Sequence, residues 1–138
     1  MVDTKQIYDV AGEIVGTPFK WEGRNKDGLD CVGVVFLFFE KLGIKIHNTD
    51  GEHYKEGWWK ENPQRFIREV LLAGEIIDIN KIQPLDILCF EIGGVMKHIG
   101  VYLEYGKFLH CYSHSVGIGR LEGIWRRRLM AGVRVKHS

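Results

Sequence analysis

From Pro84 onward the apolar residues no longer recur at helical spacing and instead form short runs: Ile87-Leu88-Cys89-Phe90, Ile99-Gly100-Val101-Tyr102-Leu103, Phe108-Leu109-His110-Cys111-Tyr112, Gly117-Ile118-Gly119-Arg120-Leu121 and Val133-Arg134-Val135. Runs of this length, separated by Gly-bearing turns, are strands that follow one another too closely for helical crossovers, so they must pair antiparallel. The N-terminal half has the other period. Ile7, Val10, Ala11, Ile14 and Val15 recur at helical spacing over residues 3 to 15, with Asp3 or Thr4 as N-cap. A second helix is predicted from Cys31 to Leu42, apolar on nearly every side and therefore buried. A third is predicted from Pro63 to Gly74 through Phe66, Ile67, Val70, Leu71 and Leu72. Helices followed by a strand meander indicate an α+β fold, with N-terminal helices packed on an antiparallel sheet of about five to six strands.

The length of 138 residues and the 45% hydrophobic content predict one domain over residues 1–138. A net charge of +1 provides no field that would recruit nucleic acid or an anionic membrane, and Arg126-Arg127-Arg128 reads as a solvated face. The N-terminus lacks the basic start and apolar run of a signal peptide, and no stretch has the length of a membrane span. The expectation is a chain made in the cytoplasm and not inserted in a membrane. Three cysteines cannot all pair within one chain, and none has CxxC spacing.

Among these thiols Cys31 is set apart by its place in the first turn of the second helix, after Gly28-Leu29-Asp30. Unpaired N–H groups at a helix start favour a thiolate, so Cys31 is a candidate nucleophile. Such a nucleophile needs a base, and the base needs a third group to orient it. His98 and His110 flank the hairpin at Glu104-Tyr105-Gly106-Lys107. A two-residue loop at Tyr105-Gly106 would set His98 opposite Ser113 and His110 on the other face of the sheet. A three-residue loop, Glu104-Tyr105-Gly106 with a bulge at Gly106, brings both histidines to one face, so a triad predicts that form. Cys111 then points away from His110, and Cys89 is structural. A metal site of Cys31, His98 and His110 lacks a fourth ligand and close sequence pairs, so no metal or other cofactor is expected. His47, His53, His114 and His137 read as surface residues.

Several segments, in order, resemble the NlpC/P60 family of papain-like cysteine peptidases that cut bacterial cell-wall peptides. Gly16-Thr17-Pro18-Phe19-Lys20-Trp21-Glu22-Gly23 is similar to the family's opening motif and Leu29-Asp30-Cys31-Val32-Gly33 to its nucleophile motif. Gln83-Pro84-Leu85-Asp86-Ile87-Leu88 resembles the turn and strand ahead of the family's histidine. Lys97-His98-Ile99-Gly100-Val101-Tyr102-Leu103 and Gly106-Lys107-Phe108-Leu109-His110 resemble the strands bearing the histidine and the third polar residue, and Val116-Gly117-Ile118, Trp125 and Arg128 its C-terminal stretch.

The resemblance implies a papain-like NlpC/P60 fold with Cys31 as nucleophile, His98 as base and His110 as the orienting residue. It implies that Asp30 helps hold the free amino end of a peptidoglycan stem peptide, a role compatible with capping the helix. Phe19, Trp21 and Val32 are the other candidate substrate-binding positions. Phe19 stands where the family often has Tyr, Val32 where Ser is commoner and Leu85 where Gly is frequent. The activity implied is hydrolysis of the bond between D-glutamate and the diamino acid. Two alternatives stay open: a phage tail assembly or structural component, with phage tail proteins as partners and little catalysis, or a thiol amidase or acyltransferase using the same residues. Delivery by a phage particle or by lysis would bring a chain without a signal peptide to the wall.

Overall fold

The computed structural model describes residues 2–45 and 74–135. The helix predicted from Pro63, together with His47, His53 and His137, lies outside the described residues. Helix α1 (Thr4–Ile14) starts where Asp3 accepts from the backbone N–H of Gln6 at 2.8 Å while the Gln6 side chain accepts from the N–H of Asp3 at 2.9 Å. This reciprocal cap fixes the first turn. Ile7, Ala11 and Ile14 face inward, whereas Val15 lies past the helix and is exposed. A small hairpin of β1 (Arg24–Asn25) and β2 (Gly28–Leu29) follows and leads directly into α2 (Cys31–Lys41).

Strands β3 (Gly74–Ile77), β4 (Ile87–Ile92), β5 (Val95–Glu104), β6 (Lys107–Cys111), β7 (Val116–Arg120) and β8 (Leu129–Val135) make one six-stranded sheet in the order β3-β8-β4-β5-β6-β7. Every pairing in it is antiparallel. A short helix α3 (Gly123–Arg128) links β7 to β8. Helix α2 lies against β5 and β6 through Val34, Val35, Phe38 and Phe39, which pack with Ile99, Val101, Leu103 and Leu109 in the larger core. Full burial of side chains of this size stabilises by about 2 to 3 kcal/mol each. The opposite face carries a smaller core of Leu88, Phe90, Phe108 and Leu129, with Tyr102 and Trp125 at its edge.

The approach to β4 is clamped. Buried Asp86 accepts from the backbone N–H of Gln83 at 2.8 Å and from Nε and Nη2 of Arg134, each at 3.0 Å, tying the Pro84 turn to β8. Leu85 in this turn has φ +77, the left-handed region where Gly is unstrained and a branched side chain costs about 1 kcal/mol.

The β5–β6 hairpin corrects the three-residue expectation. Glu104 pairs with Lys107 around a two-residue turn, and Tyr105 and Gly106 have φ +48 and +76, the positive pair of a type I′ turn. The extra residue sits in the strand instead: the register shifts between Tyr102 and Glu104, which leaves Leu103 as a bulge buried in the larger core. Two features favour this arrangement. Tyr105 is at the exposed tip and meets no packing penalty there, and the Tyr102 hydroxyl accepts from the N–H of Gly106 at 2.9 Å. The bulge has the same parity effect as an odd loop, and beyond it Val101 faces Leu109. His98 and His110 therefore share a face.

Candidate active site

Cys31 sits at the start of α2 because Asp30 ends the preceding strand and caps the helix. The Oδ1 of Asp30 accepts from the N–H of Gly33 at 2.8 Å and from Nη1 of Arg24 at 3.0 Å, and its Oδ2 accepts from the N–H of Glu22 at 3.0 Å. At 3% exposure this is a buried carboxylate whose charge is paired, the arrangement that burial requires. The capping role of Asp30 is thus realised, and Arg24 is a participant that no spacing signal announces.

The helix start does not, by itself, make Cys31 a thiolate. Cys31 keeps partial exposure, but surrounding protein and the neighbouring Asp30 charge push its thiol up to about 12, against smaller lowering by the backbones of Ile99 and Val32. The influence of Ile99 places the sulfur against β5, beside the strand position that carries His98. Among the described residues no hydrogen bond joins Cys31 to either imidazole. The other two thiols are buried and free, Cys111 donating to the carbonyl of Leu29 at 3.4 Å on the opposite face from His110.

The two histidines are brought together directly: His98 Nε2 lies 2.9 Å from His110 Nδ1. That bond leaves Nδ1 of His98 as the ring nitrogen able to exchange a proton with a thiol. Both rings are held as neutral imidazoles. Burial, His110 and Arg128 hold His98 well below the usual histidine range, and burial brings His110 down to about 4.

An aromatic wall accounts for this burial. The His98 ring centroid is 5.7 Å from Phe90, 5.4 Å from Tyr112 and 5.3 Å from Trp125. His110 is 4.4 Å from Phe108 and 5.0 Å from Trp125. Phe108, His110 and Tyr112 alternate on one strand face, so their grouping was present in the two-residue period. Trp125 comes from α3, a helix with no apolar stripe to betray it. Of the arginine run, Arg126 and Arg127 are exposed, whereas half-buried Arg128 stacks over Trp125 at 5.0 Å and Tyr112 at 5.9 Å.

Phe19 runs beside Leu29 in a parallel bridge and donates to the carbonyl of His114 at 2.9 Å, so it borders the Asp30-Cys31 turn and remains exposed. Trp21 and Val32 are partly buried against the larger core. No group of three or more His, Cys, Asp or Glu side chains is arranged to hold a metal ion among the described residues, and no helix there is long and apolar enough to cross a membrane.

Comparison with known proteins agrees with this architecture. The chain is similar to the probable endopeptidase p60 of Listeria grayi, 22% identical over 117 residues that cover 85% of this chain and 20% of that protein. It is 27% identical over 131 residues to the gamma-D-glutamyl-L-lysine dipeptidyl-peptidase of Bacillus subtilis, covering 92% of this chain and 39% of the relative. The chain thus spans well under half the length of either. A lipoprotein-like NLP/P60 family structure from Staphylococcus aureus superposes with a TM-score of 0.69 at 23% identity, over 98% of this chain and 42% of that one. The NlpC/P60 family pattern itself matches residues 16–134. With that match running from the loop before Asp30 through the last strand, the chain belongs to the NlpC/P60 family.

Proposed function

We propose that the chain is a thiol hydrolase of peptide bonds in bacterial cell-wall stem peptides, acting at the link between γ-linked D-glutamate and a diamino acid. Cys31 serves as nucleophile, His98 as base and His110 as the residue that orients it. The observation that carries this reading is the 2.9 Å bond between His98 and His110, made on the strand whose backbone at Ile99 faces the Cys31 thiol. The similarity to the gamma-D-glutamyl-L-lysine dipeptidyl-peptidase supports the choice of bond.

In this reading the resting site is a thiol beside a neutral imidazole, and the proton moves as attack begins. Nδ1 of His98 takes the Cys31 proton, after rotation of the thiol or through one water, while the sulfur bonds to the scissile carbonyl carbon. The Cys31 backbone N–H donates to the oxyanion, a contact worth about 3 to 4 kcal/mol in comparable sites. His98 returns the proton to the leaving amine as the C–N bond breaks, and water then hydrolyses the thioester. Asp30, with Phe19, Trp21 and Val32 nearby, forms the side that receives the amino end of the stem. Incubation of purified peptidoglycan with the protein and with Cys31→Ala, read by mass spectrometry of the released peptides, tests the assignment. New termini at the D-glutamyl bond from the parent alone are expected, and equal products from both, or none from either, overturn it.

A second reading is a peptide-binding or phage-tail assembly component with weak catalysis. The raised Cys31 thiol, without a hydrogen bond to His98, favours it, and stem-peptide binding without turnover would support it. An amidase or acyltransferase would give a different product mass in the same experiment.

A further inference from the structure

We propose that Arg128, stacked on Trp125 and Tyr112 at the edge of the histidine pair, receives a carboxylate of the substrate. The inference deepens the hydrolase reading by naming a chemical group that the same site takes, and it rests on that reading for the identity of the peptide.

Arg128 is the last residue of α3, and its guanidinium lies over the Trp125 and Tyr112 rings, which meet edge to face at 5.2 Å. Such cation–π contact holds the guanidinium beside the rings without using up its N–H donors. Those donors have no carboxylate or other hydrogen-bond partner among the described residues. Asp30 and Asp86, by contrast, each hold an arginine directly. A half-buried arginine that keeps its fork open beside a candidate active site is built to bind an anion in a planar, two-point manner. Tyr112 is 46% exposed, so one side of the stack is accessible to a ligand.

Position ties the anion to the reacting groups. Trp125 and Tyr112 both touch the His98 ring, and Arg128 is near enough to disfavour charge on it. Among the described residues, the titratable or charged groups bearing on His98 are His110 of β6, Arg128 of α3 and the Tyr112 phenol, which follows β6. A carboxylate seated on Arg128 would offset the repulsion that Arg128 exerts, so binding would also make His98 a better base. A γ-linked glutamyl residue has a free α-carboxylate close to its scissile carbonyl, and the diamino acid has another on the leaving side. Either supplies this chemistry.

The experiment reads binding apart from turnover by using the Cys31→Ala protein with three synthetic peptides. These are alanyl-γ-D-glutamyl-L-lysine with both carboxylates free, the same peptide amidated at the glutamyl α-carboxylate, and the same amidated at the lysyl carboxylate. Calorimetry is expected to show binding weakened roughly tenfold or more by one amidation and not the other, which identifies the source. With Arg128→Gln added, or Arg128→Met to retain packing, the three peptides should bind within about twofold of one another, and Arg128→Lys should keep part of the preference. Equal affinity for all three peptides, no binding of any, or an amidation penalty that survives Arg128→Gln and Arg128→Met overturns the proposal. Discrimination by Cys31→Ala together with no cleavage by the parent protein upholds the carboxylate site and sinks the hydrolase reading instead.

Discussion

His98 Nε2 and His110 Nδ1 share one hydrogen bond at 2.9 Å, so one ring donates and the other accepts. The pair holds a single proton in that contact, and protonating both rings destroys it. If His98 donates, its Nδ1 stays unprotonated and ready for the thiol, while His110 is protonated on Nε2.

Removal of either ring should therefore have unequal effects. His98→Ala is expected to lower kcat/KM on a D-glutamyl stem peptide by about a thousandfold or more, because the base itself is lost. His110→Ala should cost about tenfold to a hundredfold, and His110→Asn, which can still accept, less than Ala. Steady-state kinetics on the three variants checks the order, and a His98→Ala variant as active as His110→Asn removes His98 as base.

Acid should loosen the fold through the same pair. Both histidines have folded-state values below the unfolded one, His110 near 4 and His98 well below the usual range. Between about pH 6.5 and 4 the unfolded chain binds protons that the native chain refuses, so stability is full above this window and falls as pH drops through it. Thermal midpoints measured across the window should decline with acid, and less steeply in His110→Gln than in the parent.

Asp30 separates helix capping from thiol tuning. Asp30→Asn retains a good N-cap and removes the negative charge that raises the Cys31 thiol, so the pH midpoint for iodoacetamide labelling of Cys31 should fall. Asp30→Ala also strips the partner from half-buried Arg24 and loses the helix cap, and should destabilise by about 2 kcal/mol, near 6 °C in Tm. Peptide mapping of the alkylated site and a thermal melt distinguish the two variants.

Gly119 tests the placement of His110. A Cβ there would lie 2.9 Å from His110 Nε2 and 3.0 Å from Phe108 Cζ, too close for either ring to stay where it is. Gly119→Ala is expected to lower turnover at least tenfold with only about 1 to 2 kcal/mol lost in stability. Gly117→Ala, two residues away on β7 with open space at its Cβ, should leave turnover near the parent value.

Much of the architecture was legible because local chemistry and tertiary packing agree. Asp3 and Asp30 mark helix starts by the same capping interaction that the structure realises, and the runs after Pro84 are strands with one or two faces buried. The misses have physical causes. β3 pairs only with β8 at the far end of the chain, so nothing local announces it, and its residues are partly exposed. Helix α3 is six residues long and held by Trp125 against the histidine side rather than by an apolar stripe. The shared face of His98 and His110 was anticipated through an incorrect loop, because parity is all that side-chain alternation reveals and parity can be changed anywhere along a strand. Arg24 was invisible because its partner Asp30 is reached across a hairpin fold, not along a helix face.

The Leu103 bulge makes the candidate chemistry depend on the register of one hairpin rather than on its length. In-frame loss of that residue would leave Glu104 facing Lys107 and Tyr102 facing Phe108 in an unbroken ladder, with His98 and His110 still on one side of the sheet, whereas smoothing the bulge with Leu103 retained would set Val101 opposite His110 and turn His98 to the other side. A slip of register here would thus part the pair in one step, while loss of the extra residue would leave it in place and gradual substitution elsewhere only adjusts it.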